Sequence, residues 1–139
     1  MFKKTILDNG LRIITIPQAE TKALTVLVLI GTGSKYETKK ISGISHFLEH
    51  MFFKGTRHRP SAGDVHRALD RLGAEHNAFT SKEMTSFWVK SAVRHFDESL
   101  DIIDEEIIKR RAKWTLSSIQ WMDYNDVSQI LRIHISKKW

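Results

Sequence analysis

The sequence predicts an α+β fold, a mostly antiparallel sheet with helices packed against it. Three observations carry this. Thr5-Ile6-Leu7 and Leu11 to Ile16 flank Asn9-Gly10, two residues that tolerate positive φ, which together signal a hairpin. Ala23-Leu24-Thr25-Val26-Leu27-Val28-Leu29-Ile30 is a β-branched and almost wholly apolar run. Ile44, Phe47, Leu48, Met51 and Phe52 then recur at i, i+3, i+4, i+7 and i+8, the core-facing stripe of an amphipathic helix. With 139 residues the chain suits one domain with a real core.

The elements follow in order. Pro17 ends the second strand or marks an edge. The run Ala23–Ile30 suits a strand covered on both faces. Gly31-Thr32-Gly33-Ser34 breaks it as a turn; no Gly-Lys-Ser/Thr follows, as a phosphate loop would need. Tyr36 to Lys40 is a polar loop leading to the amphipathic helix, which Gly55 closes. After the basic loop Arg57-His58-Arg59-Pro60, Ser61 and Asp64 resemble a capping box with Asp in place of Glu. Val65, Ala68, Leu69 and Leu72 form the buried stripe of a second helix that stops at Gly73, with His66 on its solvent side. Glu75 to Thr80 and Met84 to Lys90 are two strands around a Ser81-Lys82-Glu83 turn.

Phe96, Leu100, Ile103 and Ile107 give a third helix. Asp97, Glu98, Asp101, Asp104, Glu105 and Glu106 load its early part, and Lys109, Arg110, Arg111 and Lys113 its later part, which suits the helix dipole. The acidic cluster reads as a solvated face. His134 to Trp139 reads as a frayed helical tail, and Trp114, Trp121 and Trp139 as ordinary packing or accidental exposure rather than a partner surface.

Composition excludes several functions. The apolar share of 41% and charged share of 27% are those of a soluble globular protein. The absence of cysteine excludes disulfides and thiolate ligands and fits a reducing compartment, so a cytoplasmic location is expected. The net charge of +6 comes from scattered Lys and Arg without a nucleic-acid motif, so no nucleic-acid partner is expected. The apolar run near Met1 is too short for a signal peptide, and Ala23–Ile30 is too short to span a bilayer, so no membrane partner is expected.

His46, Glu49 and His50 fall at i, i+3 and i+4 and share one patch, opposite the apolar stripe. A lone helical His is usually solvated, and a lone Glu is usually surface decoration. Two imidazoles one turn apart can instead grip one metal ion with the carboxylate beside it. Zn2+ suits imidazole nitrogen and keeps a position open for water when catalytic; manganese or cobalt also bind such donors. A zinc-held water is acidic near neutral pH, and a neighbouring Glu can take its proton. The order H-x-x-E-H is the inverzincin signature.

His46-Phe47-Leu48-Glu49-His50-Met51-Phe52-Phe53-Lys54-Gly55-Thr56 resembles the active-site helix of the M16 zinc peptidases, the pitrilysin and mitochondrial-processing-peptidase-like family. Asp8-Asn9-Gly10-Leu11, Gly31-Thr32-Gly33-Ser34 and Gly73 to Glu83 match the family in order, and the resemblance runs from about Met1 to Leu100. It implies an M16 metallohydrolase-like fold, zinc held by His46 and His50, and Glu49 as the catalytic base. It also implies that Asn77, Ala78 and Phe79 form an edge strand that pairs with extended substrate backbone. Without the resemblance, Asn77 reads as a turn cap and Phe79 as core. An edge strand offers N–H and C=O groups that a peptide can complete. His76 is not counted as a ligand.

The match weakens beyond Leu100. The resemblance implies residues 1–100 as the peptidase domain core and 101–139 as an altered, shortened C-terminal helical segment, with the family's second domain absent. The family's third zinc ligand is a Glu on a later helix. The best match, Arg111 to Gln120, puts Ser118 at that position and Arg111 at the upstream supporting Glu. Neutral serine is a poor zinc ligand, and arginine repels the cation. Glu105, Glu106 and Asp123 are alternative carboxylates. Two functions follow: a zinc metallopeptidase acting on extended or unstructured peptides, or an inactive M16-like peptide-binding or partner subunit. A second M16-like subunit or domain is the expected partner of either.

Overall fold

The structure, a computed structural model, describes residues 1–105, residue 107 and the backbone of residues 131–136. Strand β1, Lys3–Ile6, and strand β2, Arg12–Thr15, form the expected hairpin. Gly10 takes φ +81°, and the Asn9 side chain accepts the Leu11 amide. Strand β3, Ala23–Ile30, occupies the apolar run. Helix α1, Ile44–Met51, continues into a 3-10 turn at Phe52–Lys54. Helix α2, Ala62–Arg71, starts at the capping box: Asp64 N–H donates to Ser61 Oγ at 3.2 Å and Ser61 N–H to Asp64 Oδ2 at 3.0 Å. Strands β4, Glu75–Thr80, and β5, Thr85–Ala92, follow, then helix α3, Phe96–Asp104, and strand β6, Leu131–Ser136.

The sheet has six strands in the order β1-β2-β6-β3-β5-β4. Every neighbouring pair is antiparallel except β2 with β6. The helices share one face. Leu24, Val26 and Val28 of β3 and Val89 of β5 pack with Val65 and Leu69 of α2 and Ile102 and Ile103 of α3. Phe52, just after α1, stacks on Phe87 of the same face at 3.9 Å between centroids. Ser91 of β5 and Ser99 of α3 share a buried hydrogen bond of 2.8 Å.

Three expectations need correction. Among the described residues β3 is fully sealed on one face only: Leu24, Val26 and Val28 are buried, whereas Ala23, Thr25, Leu27 and Leu29 are half-buried. The described helices all lie against the first set. Residues 134–136 are strand, not frayed helix. Leu131, Ile133 and Ile135 alternate with Arg132, His134 and Ser136, a period of two that suits a strand. Phe47 is 52% exposed, so it does not belong to the core stripe of α1; buried Ser45 lies there instead. At 3.6 residues per turn, Phe47 sits only about 60° around the helix from His50.

Candidate metal centre and peptide edge

The site is built on α1 and on the strand beside it. Helix α1 has no side-chain cap of its own, because its N-cap residue is Gly43 at φ +89°. Glu37, from the preceding loop, supplies one. Its Oε2 accepts the Gly43 amide at 2.6 Å and its Oε1 accepts the Ser45 amide at 2.9 Å. Those amides, Ser45 first, hold the Glu37 carboxyl below the usual carboxylate range. In sequence Tyr36–Lys40 reads as a polar loop without this contact. The signal was available: an acidic residue shortly ahead of a helix that begins at glycine.

His46 and His50 project from the exposed side of α1 with their Nε2 atoms 2.9 Å apart. Their ring centroids are 4.4 Å apart and the rings are tilted by 56°. Zinc–nitrogen bonds of about 2.0–2.1 Å at a tetrahedral angle need nitrogens about 3.3 Å apart. A small opening of the pair therefore fits one ion, and the donor set is the imidazole type that zinc accepts. Glu49 lies between them in sequence and is half-buried. Among the described residues, no group of three or more His, Cys, Asp or Glu is arranged to hold a metal. Ser118, Arg111, Glu106 and Asp123 lie outside the described residues.

Glu105 is described, and it is not a solvated acid. It is buried at 1% exposure and accepts the His58 amide at 2.9 Å. It also pairs with the Arg59 guanidinium, whose other amino group reaches Asp101 at 3.0 Å. Burial pushes its pKa up, but the Thr56 hydroxyl, the His58 amide and Arg59 together outweigh this and hold it below the ordinary value. Its partners are spent on the loop after α1, so it does not serve as a third ligand. Its neighbours Asp97, Glu98 and Asp101 are exposed, as expected of the acidic face.

Strand β4 ends the sheet order, and among the described strands it pairs only with β5. Its outward residues Glu75, Asn77 and Phe79 are exposed, Phe79 by 47%, which overturns the reading of Phe79 as core. The Ala78 amide donates to Asn77 Oδ1 at 2.9 Å. Thr80 Oγ donates to the Ser45 carbonyl at 3.5 Å, so β4 lies directly beside α1. His76 points inward, edge-on to Phe53 at 4.8 Å and 5.3 Å from the His66 ring. Burial, then the nearby His66, lower its pKa against the pull of Asp70. His66 is exposed, as expected, but it faces His76 rather than open solvent alone.

This fold, a mixed sheet backed by helices on one face, is also that of a protease from Helicobacter pylori known from its crystal structure. The match has a TM-score of 0.78 at 22% identity and covers 99% of this chain and 46% of that one. The family model for insulinase, peptidase family M16, matches residues 12–120, and the chain belongs to this family. The uncharacterized zinc protease YmxG of Bacillus subtilis is 45% identical over 103 residues, covering 74% of this chain and 25% of that protein. The mitochondrial-processing peptidase subunit beta of Dictyostelium discoideum is 36% identical over 118 residues, covering 85% and 24%. Cytochrome b-c1 complex subunit 1 of Homo sapiens is 34% identical over 101 residues, covering 73% and 21%. The chain thus spans about a quarter of the length of the curated relatives it matches. Among the described residues, no helix is long and apolar enough to cross a membrane.

Proposed function

We propose that the chain forms the zinc-binding part of an M16 metallopeptidase that hydrolyses peptide bonds in extended or unstructured peptides. The observation that carries this reading is the convergence of His46 and His50 Nε2 at 2.9 Å on the exposed face of α1, beside β4, the edge strand among those described. His46 and His50 would hold the ion. Zinc supplies Lewis acidity, which polarises a carbonyl and makes a water acidic near neutral pH. Glu49 takes the proton of the attacking water and passes it to the leaving amine. Asn77, Ala78 and Phe79 align the substrate by backbone pairing, and a peptide carbonyl replaces Asn77 Oδ1 at the Ala78 amide. A second M16-like domain or subunit covers the substrate. The cytoplasmic setting suggested by the cysteine-free composition belongs to the same proposal.

Glu49→Gln keeps the shape of the side chain and removes the base. Peptide hydrolysis falls by about 10²–10⁴-fold, while zinc content stays at the wild-type level. Hydrolysis that survives unchanged overturns the role given to Glu49.

A second reading has support of its own. Ser118 occupies the position where the resemblance expects the third ligand, and one relative is named as a subunit of the cytochrome b-c1 complex. The chain is then an inactive partner subunit. Zinc stoichiometry on the purified protein, with His50→Ala as the control, separates the two. One zinc, lost in the variant, favours the peptidase; none favours the partner.

A further inference from the structure

Glu37 stands eight residues before Ser45 and outside every motif that bears chemistry, yet it grips the start of α1 with both carboxylate oxygens. Helix α1 opens at a left-handed glycine, which offers no side chain to its first amides. Ser45 is held from two directions. Its amide donates to Glu37 and its carbonyl accepts from Thr80 of β4. The residue is buried at 4% exposure, which leaves it little room to shift. The next residue is His46. The residue before His46 is thus held at its amide by a carboxylate and at its carbonyl by the edge strand.

We propose that Glu37 is a positioning residue that fixes His46 against both His50 and β4, and so sets the geometry of the metal pair relative to the peptide edge. The proposal rests on the assignment of His46 and His50 as zinc ligands. Glu37 touches neither the ion nor the substrate. It acts through the backbone of the first turn of α1, and its negative charge suits the amide end of the helix. Partners that orient a ligand in this indirect way are worth about 10–100-fold in metal affinity.

Two variants grade the effect. Glu37→Ala removes both acceptors, and Glu37→Gln leaves one carbonyl oxygen for one of the two amides. Zinc affinity is measured by chelator competition on the wild type, both variants and His50→Ala, well below the thermal transition of each. The expected result is a zinc affinity about 10–100-fold weaker in Glu37→Ala, with Glu37→Gln between it and the wild type. Each remains cooperatively folded. A general loss of stability would not weaken zinc binding by the folded molecules. Wild-type affinity in folded Glu37→Ala, or in Glu37→Gln should the alanine variant not fold, overturns the proposal.

A second readout needs no metal. The ring-nitrogen NMR signals of His46 and His50 report their shared hydrogen bond, and both shift in Glu37→Gln. Signals that stay put overturn the positioning role whatever zinc does. A wild-type protein that binds no zinc overturns the ligand assignment instead, and shifted signals then still uphold Glu37 as the residue that orients His46.

Discussion

Glu105 tests how one buried carboxylate ties the site to the rest of the molecule. It links the loop that follows α1 to the end of α3 through Arg59 and the His58 amide. Arg59→Ala leaves that charge buried without its main partner. The cost is about 3 kcal/mol, the low end for breaking a buried pair, because the Arg59 side chain keeps 22% exposure. The shift of the urea midpoint at constant slope measures it. The same carboxyl titrates below its ordinary value of about 4.3 when folded. Its contribution is therefore complete above that unfolded value and is lost as pH falls through the lower folded one. Glu105→Gln flattens this acid limb of the stability curve; an unchanged limb would mean that other carboxylates carry it. Residues of this kind are the least legible in a sequence. His46, Glu49 and His50 stand out through spacing alone. Glu105 resembles its solvated neighbours, and only the fold brings Arg59 to it from 46 residues away.

Elements were far more legible, because each writes its own period and its own stops. β3 runs over Ala23–Ile30, the run read from composition, and α2 begins at the box of Ser61 and Asp64. β6 was missed because a short alternating segment beside charged and aromatic residues resembles a tail until a sheet position is there to receive it. Contacts between turns were also invisible. Ser34 and Lys35 donate their amides to the Ser81 and Lys82 carbonyls, joining the end of β3 to the β4–β5 turn. The approach is close enough to demand glycine at position 33: a Cβ there would stand 2.3 Å from the Ser81 carbonyl oxygen. Backbone cannot rotate away as a side chain can. Gly33→Ala costs about 1–3 kcal/mol, by analogy with overpacked cores. A thermal scan showing wild-type stability would mean that the two turns separate freely.

For the whole molecule, the proposed zinc would be a ligand of the folded state. Two histidines on one helical turn converge only while α1 is formed, so binding favours folding by mass action. Free zinc at 100 times its dissociation constant stabilises by about 2.7 kcal/mol, and a chelator removes that gain. The thermal midpoint of the wild type rises with zinc and returns with chelator, whereas His46→Ala ignores both. A wild type equally indifferent to zinc would remove the metal from the proposed function.

The position of β6 has a consequence in time. It lies between β2 and β3, so among the described strands the β1–β2 hairpin reaches the rest of the sheet only through it. The register of Ile13 with Ile133 joins two distant parts of the chain. Everything from the hairpin to α3 leaves the ribosome before the strand that unites them. Through that interval the flanks of β2 and β3 are bare backbone, open to pairing with another chain. Pairing across so long a loop carries a closure entropy that nearer strand pairs do not. The interval before Leu131 emerges is when a nascent molecule most needs protection from its neighbours.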